Sequence, residues 1–225
     1  FIMISVIVIS HNYGSFLDKC LKSILKNDKK LIKEVIVLDD SSKDNTCDVV
    51  YKFKKKFKKI KYFKKNFKSL SKSINFSVKK ATGSWITKVD ADDYINQNFL
   101  KDFYNKIKLN KFNYIYGNIK IKNLNSKNNY ILKQDHKLNS LLNYPLGSGC
   151  VYKKEIWLKV GGYNENIRYQ DDYDFWLNLK KSKILKVGYV NKANYIYQKH
   201  SSNMSSSLIE KNLTKIYLLG KYFIA

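Results

Sequence analysis

Three groups of carboxylates in this 225-residue chain are spaced for chemistry. Asp39 and Asp40 follow the apolar run "EVIVL". Asp90, Asp92 and Asp93 follow "WITKV". Asp171, Asp172 and Asp174 stand within "RYQDDYDFWLNL". Crowded carboxylates repel and raise one another's pKa unless a cation neutralises them. Their hard oxygens suit Mg²⁺ or Mn²⁺, and Mg²⁺ commonly shares its shell with phosphate oxygens. A divalent ion joining Asp92 to a bound diphosphate would relieve the crowding and cancel charge on a departing nucleoside diphosphate. Each group also has a plainer reading. Asp39-Asp40 can be a turn or a helix cap, and Asp171-Asp172 can be the acidic first turn that a helix dipole favours. A lone Asp-x-Asp triplet is weak evidence; the weight comes from all three groups falling at strand ends and helix starts.

The elements that must carry these acids alternate. Residues 4–9, "ISVIVI", form a continuous β-branched run, the mark of a strand buried on both faces of a parallel sheet. After "SHNYG", residues 15–26 carry Phe16, Leu17, Cys20, Leu21, Ile24 and Leu25 at helical spacing. A strand at 34–38 precedes a helix capped by Asp44 or a neighbour. Within the basic run 52–68, Phe53, Phe57 and Ile60 continue an apolar stripe, so a core-facing helix with a solvated lysine face is expected; a membrane-surface patch is the alternative. A short strand at 60–63, a helix at 69–81 ended by Gly83 and a strand at 85–89 complete the first 100 residues. This alternation predicts an α/β fold with parallel strands, whose ligands gather at the carboxyl ends. The second half reads less regularly. It has a helix at 96–109, strands at 112–121 and 129–133, and helices at 135–142 and 171–181. Strands near 184–189 and 194–198 and a helical segment at 206–223 follow.

Forty-three basic residues against eighteen acidic ones give a net charge of +25. Arg168 is the sole arginine. Specific nucleic-acid readers rely on arginine's fork, so nucleic acid is not expected as a partner. A lysine- and asparagine-rich composition reads first as drift toward A/T-rich codons, and second as attraction for an anionic membrane or substrate. Cys20, Cys47 and Cys150 are widely spaced and contain no Cys-x-x-Cys pair, so a reducing cytosol without structural zinc or disulfides is expected. The opening "FIMISVIVIS" lacks a basic n-region and a cleavage site, and no run reaches the roughly 18 apolar residues of a membrane span.

Taken together, "ISVIVISHNYGSFLDKCLKSIL", "EVIVLDDSSKDNT", "NFSVKKATGSWITKVDADD", "GGYNENIRYQDDYDFWLNL" and "YQKHSSNMS" resemble the family 2 inverting glycosyltransferases in order and spacing. The resemblance implies a GT-A, Rossmann-like α/β fold with a mixed, mostly parallel central sheet flanked by helices. It implies one domain over 1–225, with a nucleotide-sugar-binding lobe at 1–100 and an acceptor-binding lobe with the C-terminal helix at 101–225. Ser10, His11, Asn12 and Asp40 would hold the nucleotide, His11 by stacking on the base. Asp90 would face the ribose or the metal, Asp92 would bind Mg²⁺ or Mn²⁺, and His200 would reach the metal or the diphosphate from a flexible loop. Asp172 falls on the catalytic base. The partners implied are a nucleotide-sugar donor, with a lean to uridine as the base, and a glycan or lipid-linked acceptor. The setting is cytoplasmic, with a peripheral contact at the inner face of a membrane as an option and the oligomeric state open. One departure stands out: Ile74 occupies a position where many relatives carry arginine, so Lys72, Lys88 or another lysine would have to meet the diphosphate.

Two other readings compete. A nucleotidylyltransferase also uses an α/β fold and metal-binding carboxylates, but "SHNYGSF" has one glycine and no basic residue where a phosphate loop is wanted. A non-catalytic nucleotide-sugar-binding or membrane-surface module would have no use for both Asp92 and Asp172. Tyr169, Tyr173 and Trp176 could stack on a sugar, although core packing is the commoner fate of such aromatics.

Overall fold

The computed structural model describes residues 2–134, 144–203 and 208–224; the helix expected at 135–142 lies outside them. The first half folds as the apolar runs dictate: β1 (Ile4–Ser10), α1 (Gly14–Leu25), β2 (Ile32–Asp40), α2 (Thr46–Lys56), β3 (Ile60–Lys65), α3 (Leu70–Lys80) and β4 (Trp85–Lys88). β1 pairs in parallel with both β2 and β4, and β2 with β3. Successive residues of β1 therefore face opposite layers. Ile4, Val6 and Val8 join the core under α1, while Ile7 joins the core under α3 with Ile74, Val78 and Trp176.

The second half adds β5 (Tyr94–Ile95), α4 (Phe99–Ile107), β6 (Tyr114–Asn123), β7 (Tyr130–Leu132), β8 (Cys150–Lys153), α5 (Lys154–Lys159), α6 (Asp171–Lys181), β9 (Val187–Lys199) and α7 (Leu208–Ile224). Strand β8 runs antiparallel between β4 and β6, and β9 lies parallel to β6. Among the described residues a single sheet in the order β3-β2-β1-β4-β8-β6-β9-β5, with β7 flanking β6, crosses both halves of the chain.

Several local expectations need correcting. The two strands expected near 184–189 and 194–198 are one, because register shifts at Gly117, Asn118 and Ile119 let both segments stay on β6. Helix α2 stops at Lys56, where Phe57 turns extended, so the stripe from Phe53 to Ile60 is shared between a helix and a strand. Gly83 does not end α3, which closes at Ala81. It lies against β1 instead, where an added Cβ would come within 2.5 Å of the Ser5 hydroxyl. Helix α7 buries Leu218 against Tyr173 and Leu177 and exposes Leu213, Ile216 and Tyr217. No helix among the described residues is long and apolar enough to cross a membrane.

Candidate active site

At the carboxyl ends of β1 and β2, the backbone turns are held by polar side chains. Ser10 is buried, its hydroxyl 3.4 Å from that of Thr46. The exposed His11 brings Nδ1 to 2.5 Å from the Asp40 carbonyl oxygen. Asn12 is left-handed (φ 58°) and staples the loop after β2: its N–H donates to Ser42 Oγ, and its Oδ1 accepts from the Lys43 N–H. Asp40 is almost fully buried. Its carboxylate accepts from the N–H groups of Phe67, Lys68 and Ser69 and from the Ser73 hydroxyl. Asp40 thus anchors the 67–69 loop to the end of β2.

Past the end of β4, the three aspartates have three different settings. Asp90 pairs with the Lys88 ammonium through Oδ1, while its Oδ2 accepts from the Ser148 hydroxyl at 2.9 Å. Burial opposes ionisation of Asp90, but Lys88 and the hydroxyls outweigh it and hold its pKa below the ordinary value. Asp93 is buried against the Tyr195 hydroxyl (2.7 Å) and the Gln198 N–H (2.8 Å). Burial, with the charges of Asp90 and Asp92, pushes its pKa up to about 8. Asp92 brings Oδ2 to 3.2 Å from His200 Nε2 and 3.1 Å from Asn203 Nδ2, and its own pKa is raised by burial and by Asp90.

His200 is not the ordinary surface histidine that its polar surroundings allow. Its side chain is 7% exposed, stacked on Phe16 with centroids 4.7 Å apart and edge-on to Tyr13. Asn203 holds it from below by accepting the His200 backbone N–H at 2.7 Å. Asn203, Tyr195 and Gln198 escaped the sequence reading. The stretch "YQKHSSNMS" drew attention to one imidazole, whereas its hydrogen-bonding partners depend on how β9 meets the loop after β4.

The third acidic group opens α6. Gln170 precedes it in a left-handed conformation (φ 60°), and Asp171, Asp172 and Asp174 fill the first turn. Asp172 Oδ2 accepts the Gly147 N–H at 2.9 Å, and Oδ1 accepts the Tyr173 N–H at 2.9 Å. Burial and the charge of Asp172 push Asp171 up to about 7. Lys88 joins this group to the second one. Burial works against its charge, but Asp90, Asp171 and Asp172 together hold its pKa above the ordinary lysine value. The consecutive residues Gly147 and Ser148 reinforce the link, one bound to Asp172 and the other to Asp90.

The proposed metal set is brought together in part. Asp92 and His200 adjoin, while the Asp90 carboxylate is engaged by Lys88, Ser148 and Tyr195. Among the described residues no group of three or more His, Cys, Asp and Glu side chains is placed to hold an ion. One carboxylate oxygen beside one imidazole nitrogen suits an ion that takes its remaining ligands from water and a substrate diphosphate. Ile74 is buried in the core, so no cation stands at that position, whereas Lys88 is the ammonium at the strand end. Tyr173 and Trp176 are buried and pack in the core rather than offering a face to a sugar.

A sequence model of Glycosyl transferase family 2 matches residues 5–164. The chain is 30% identical over 231 residues to the Campylobacter jejuni GalNAc(5)-diNAcBac-PP-undecaprenol beta-1,3-glucosyltransferase, covering 96% of this chain and 71% of that one. Among solved structures, S. aureus TarS 1-349 in complex with UDP-GlcNAc superposes with a TM-score of 0.78 at 26% identity, covering 92% of this chain and 61% of that one. The mannosyltransferase PcManGT of Pyrobaculum calidifontis, in complex with GDP-Man and Mn²⁺, superposes with a TM-score of 0.77 at 14% identity, a likeness of fold alone, covering 99% of this chain and 64% of that one. The chain thus spans less than two thirds of either solved chain. With its acids gathered at the carboxyl ends of a sheet of GT-A topology, this chain belongs to glycosyl transferase family 2.

Proposed function

We propose that this chain transfers a sugar from a nucleoside-diphosphate donor, a UDP-sugar by preference, to an acceptor hydroxyl, with inversion at the anomeric carbon. The observation that carries the reading is the convergence of Asp90 and Asp172, 82 positions apart in sequence, around the Lys88 ammonium and the Gly147-Ser148 pair. Asp172 is the base. Its carboxylate takes the proton of the acceptor hydroxyl as that oxygen attacks the anomeric carbon from the face opposite the leaving diphosphate. One displacement inverts the centre, and no covalent intermediate is needed. The Gly147 N–H keeps Asp172 Oδ2 in place, so orientation precedes proton transfer. Lys88 keeps Asp90 ionised and supplies positive charge near the site where the diphosphate departs. Asp92 and His200 are the pair that would hold Mg²⁺ or Mn²⁺, and a bound ion would supply further charge neutralisation for the leaving group. Ser10, His11 and Asn12 would border the base and ribose, with Asp40 setting the opposing loop.

The uridine preference is supported by the UDP-GlcNAc complex of TarS. A glycan acceptor, free or lipid-linked, is supported by the name of the C. jejuni relative. The net charge of +25 would favour work at the anionic inner face of a membrane. Differential scanning fluorimetry with UDP, GDP and UTP, each with and without Mn²⁺, tests the donor site. Stabilisation by UDP that increases with Mn²⁺ is expected, since a ligand at about 100 times its Kd adds roughly 2.7 kcal/mol. A shift with UTP alone would point instead to nucleotidyl transfer, and no shift with any nucleotide would remove the donor site. Slow hydrolysis across a panel of nucleotide sugars would then name the donor.

A further inference from the structure

Asp174 is buried, yet the proposed reaction gives it nothing to do. It sits two positions after Asp172, which in an α-helix turns its side chain some 200° away, to the opposite side of α6. There it borders a cavity of about 700 Å³ between α6, α7 and the 160–168 loop. The volume is within the usual range for small-molecule sites.

The lining decides what such a cavity can take. Asp174 is a buried part of the lining, its carboxylate bonded to the amides of Asn164 and Asn178 (Asn178 Nδ2 to Oδ2, 3.0 Å). Lys221 from α7 and Arg168 from the loop add positive charge. Asn166 adds a third amide, and Tyr217, 62% exposed, stands at the rim. An anion would meet the Asp174 carboxylate, and a cation would meet Arg168 and Lys221; neither sign of charge finds a uniform wall. A neutral ligand rich in hydroxyls does, because each hydroxyl both donates and accepts, and carboxylate, amides and cations present both roles within one space. The Tyr217 ring offers an apolar face with a polar tip, suited to the flat face of a pyranose.

We propose that this cavity is a second carbohydrate site, holding neutral sugar units of the acceptor on the far side of α6 from Asp172. The proposal rests on the transferase reading for its role, but the site is defined by its own residues. Binding there would add affinity remote from the reacting hydroxyl, so it would act on acceptor KM and leave donor handling alone.

The test is a glycan array carrying neutral bacterial and synthetic oligosaccharides with phosphorylated counterparts, probed with the wild-type chain, Tyr217→Ala and Asn166→Trp. Both substituted residues are exposed, and circular dichroism and thermal melting check that the variants are folded. UDP binding is measured in parallel by fluorimetry. The wild type is expected to bind at least one neutral glycan, each variant to bind it roughly tenfold or more weakly, the equivalent of about 1.4 kcal/mol, and UDP binding to stay unchanged. Capture of no glycan, equal capture by all three proteins, or preference for the phosphorylated counterparts would overturn the proposal. Unchanged UDP binding in those cases would leave the donor-site reading standing, whereas lost UDP binding in the wild type would strike that reading instead.

Discussion

Gly147 and Asp172 touch so closely that position 147 has no room for a Cβ unless Asp172 shifts. The Gly147 N–H donates to Asp172 Oδ2 at 2.9 Å, and a Cβ on Gly147 would come within 2.6 Å of the Asp172 Cβ. The residue assigned as base is therefore positioned by a backbone from a distant segment.

Gly147→Ala should displace the Asp172 carboxylate without touching the strand ends that border the nucleotide. Misplacing a reacting group by about 1 Å can cost roughly a hundredfold in rate. Turnover of the donor should fall by one to two orders of magnitude, and UDP affinity should hold. Steady-state kinetics beside a fluorimetric UDP titration checks this; unchanged kcat would show that the contact is incidental.

Asp171 should set a pH dependence near neutrality. Its pKa is raised to about 7 by burial and by the neighbouring Asp172, with Lys88 acting the other way. Below that pH it is neutral; above it, it is an anion that adds negative charge where the proton leaving the acceptor hydroxyl must go. Turnover should rise as pH passes 7, and Asp171→Asn should remove that inflection while the folded chain persists. A pH–rate profile of both proteins decides it, and identical profiles would contradict the assignment.

The first four strands and three intervening helices were legible because their apolar runs are long and bounded by turn residues. Strands β5 and β8 were not legible, because two and four residues carry no period of their own and gain their pairing from β9 and β4. The acids themselves were visible by position. Lys88 was visible only as one of several lysines near the diphosphate. What makes it particular is that the start of α6 brings Asp171 and Asp172 close enough to act on its charge, a proximity that sequence spacing does not report. The roles of Tyr195, Gln198 and Asn203 likewise arise from the course of β9, which sequence spacing does not report.

Glu34 should govern acid stability away from the candidate active site. It is buried, pairs with Lys61 at 2.6 Å and accepts from the Ser5 hydroxyl at 2.6 Å and the Thr82 N–H at 2.7 Å. Burial alone would raise its pKa, but these partners lower it from 4.5 to about 2. A depressed folded pKa contributes stability that is whole above 4.5 and is lost as pH falls through about 2. Glu34→Gln should cost about 1–3 kcal/mol at pH 7 and flatten the acid limb of the stability curve. Urea denaturation at pH 7, 4 and 3 measures both; parallel curves would rule out this linkage.

The most direct measurement compares wild type and Asp172→Asn in donor cleavage, with water or a supplied hydroxyl as acceptor, alongside UDP binding. General bases contribute roughly 10²–10⁴-fold, so cleavage should fall by that order while UDP stabilises both proteins equally. Full cleavage by the variant would contradict the account.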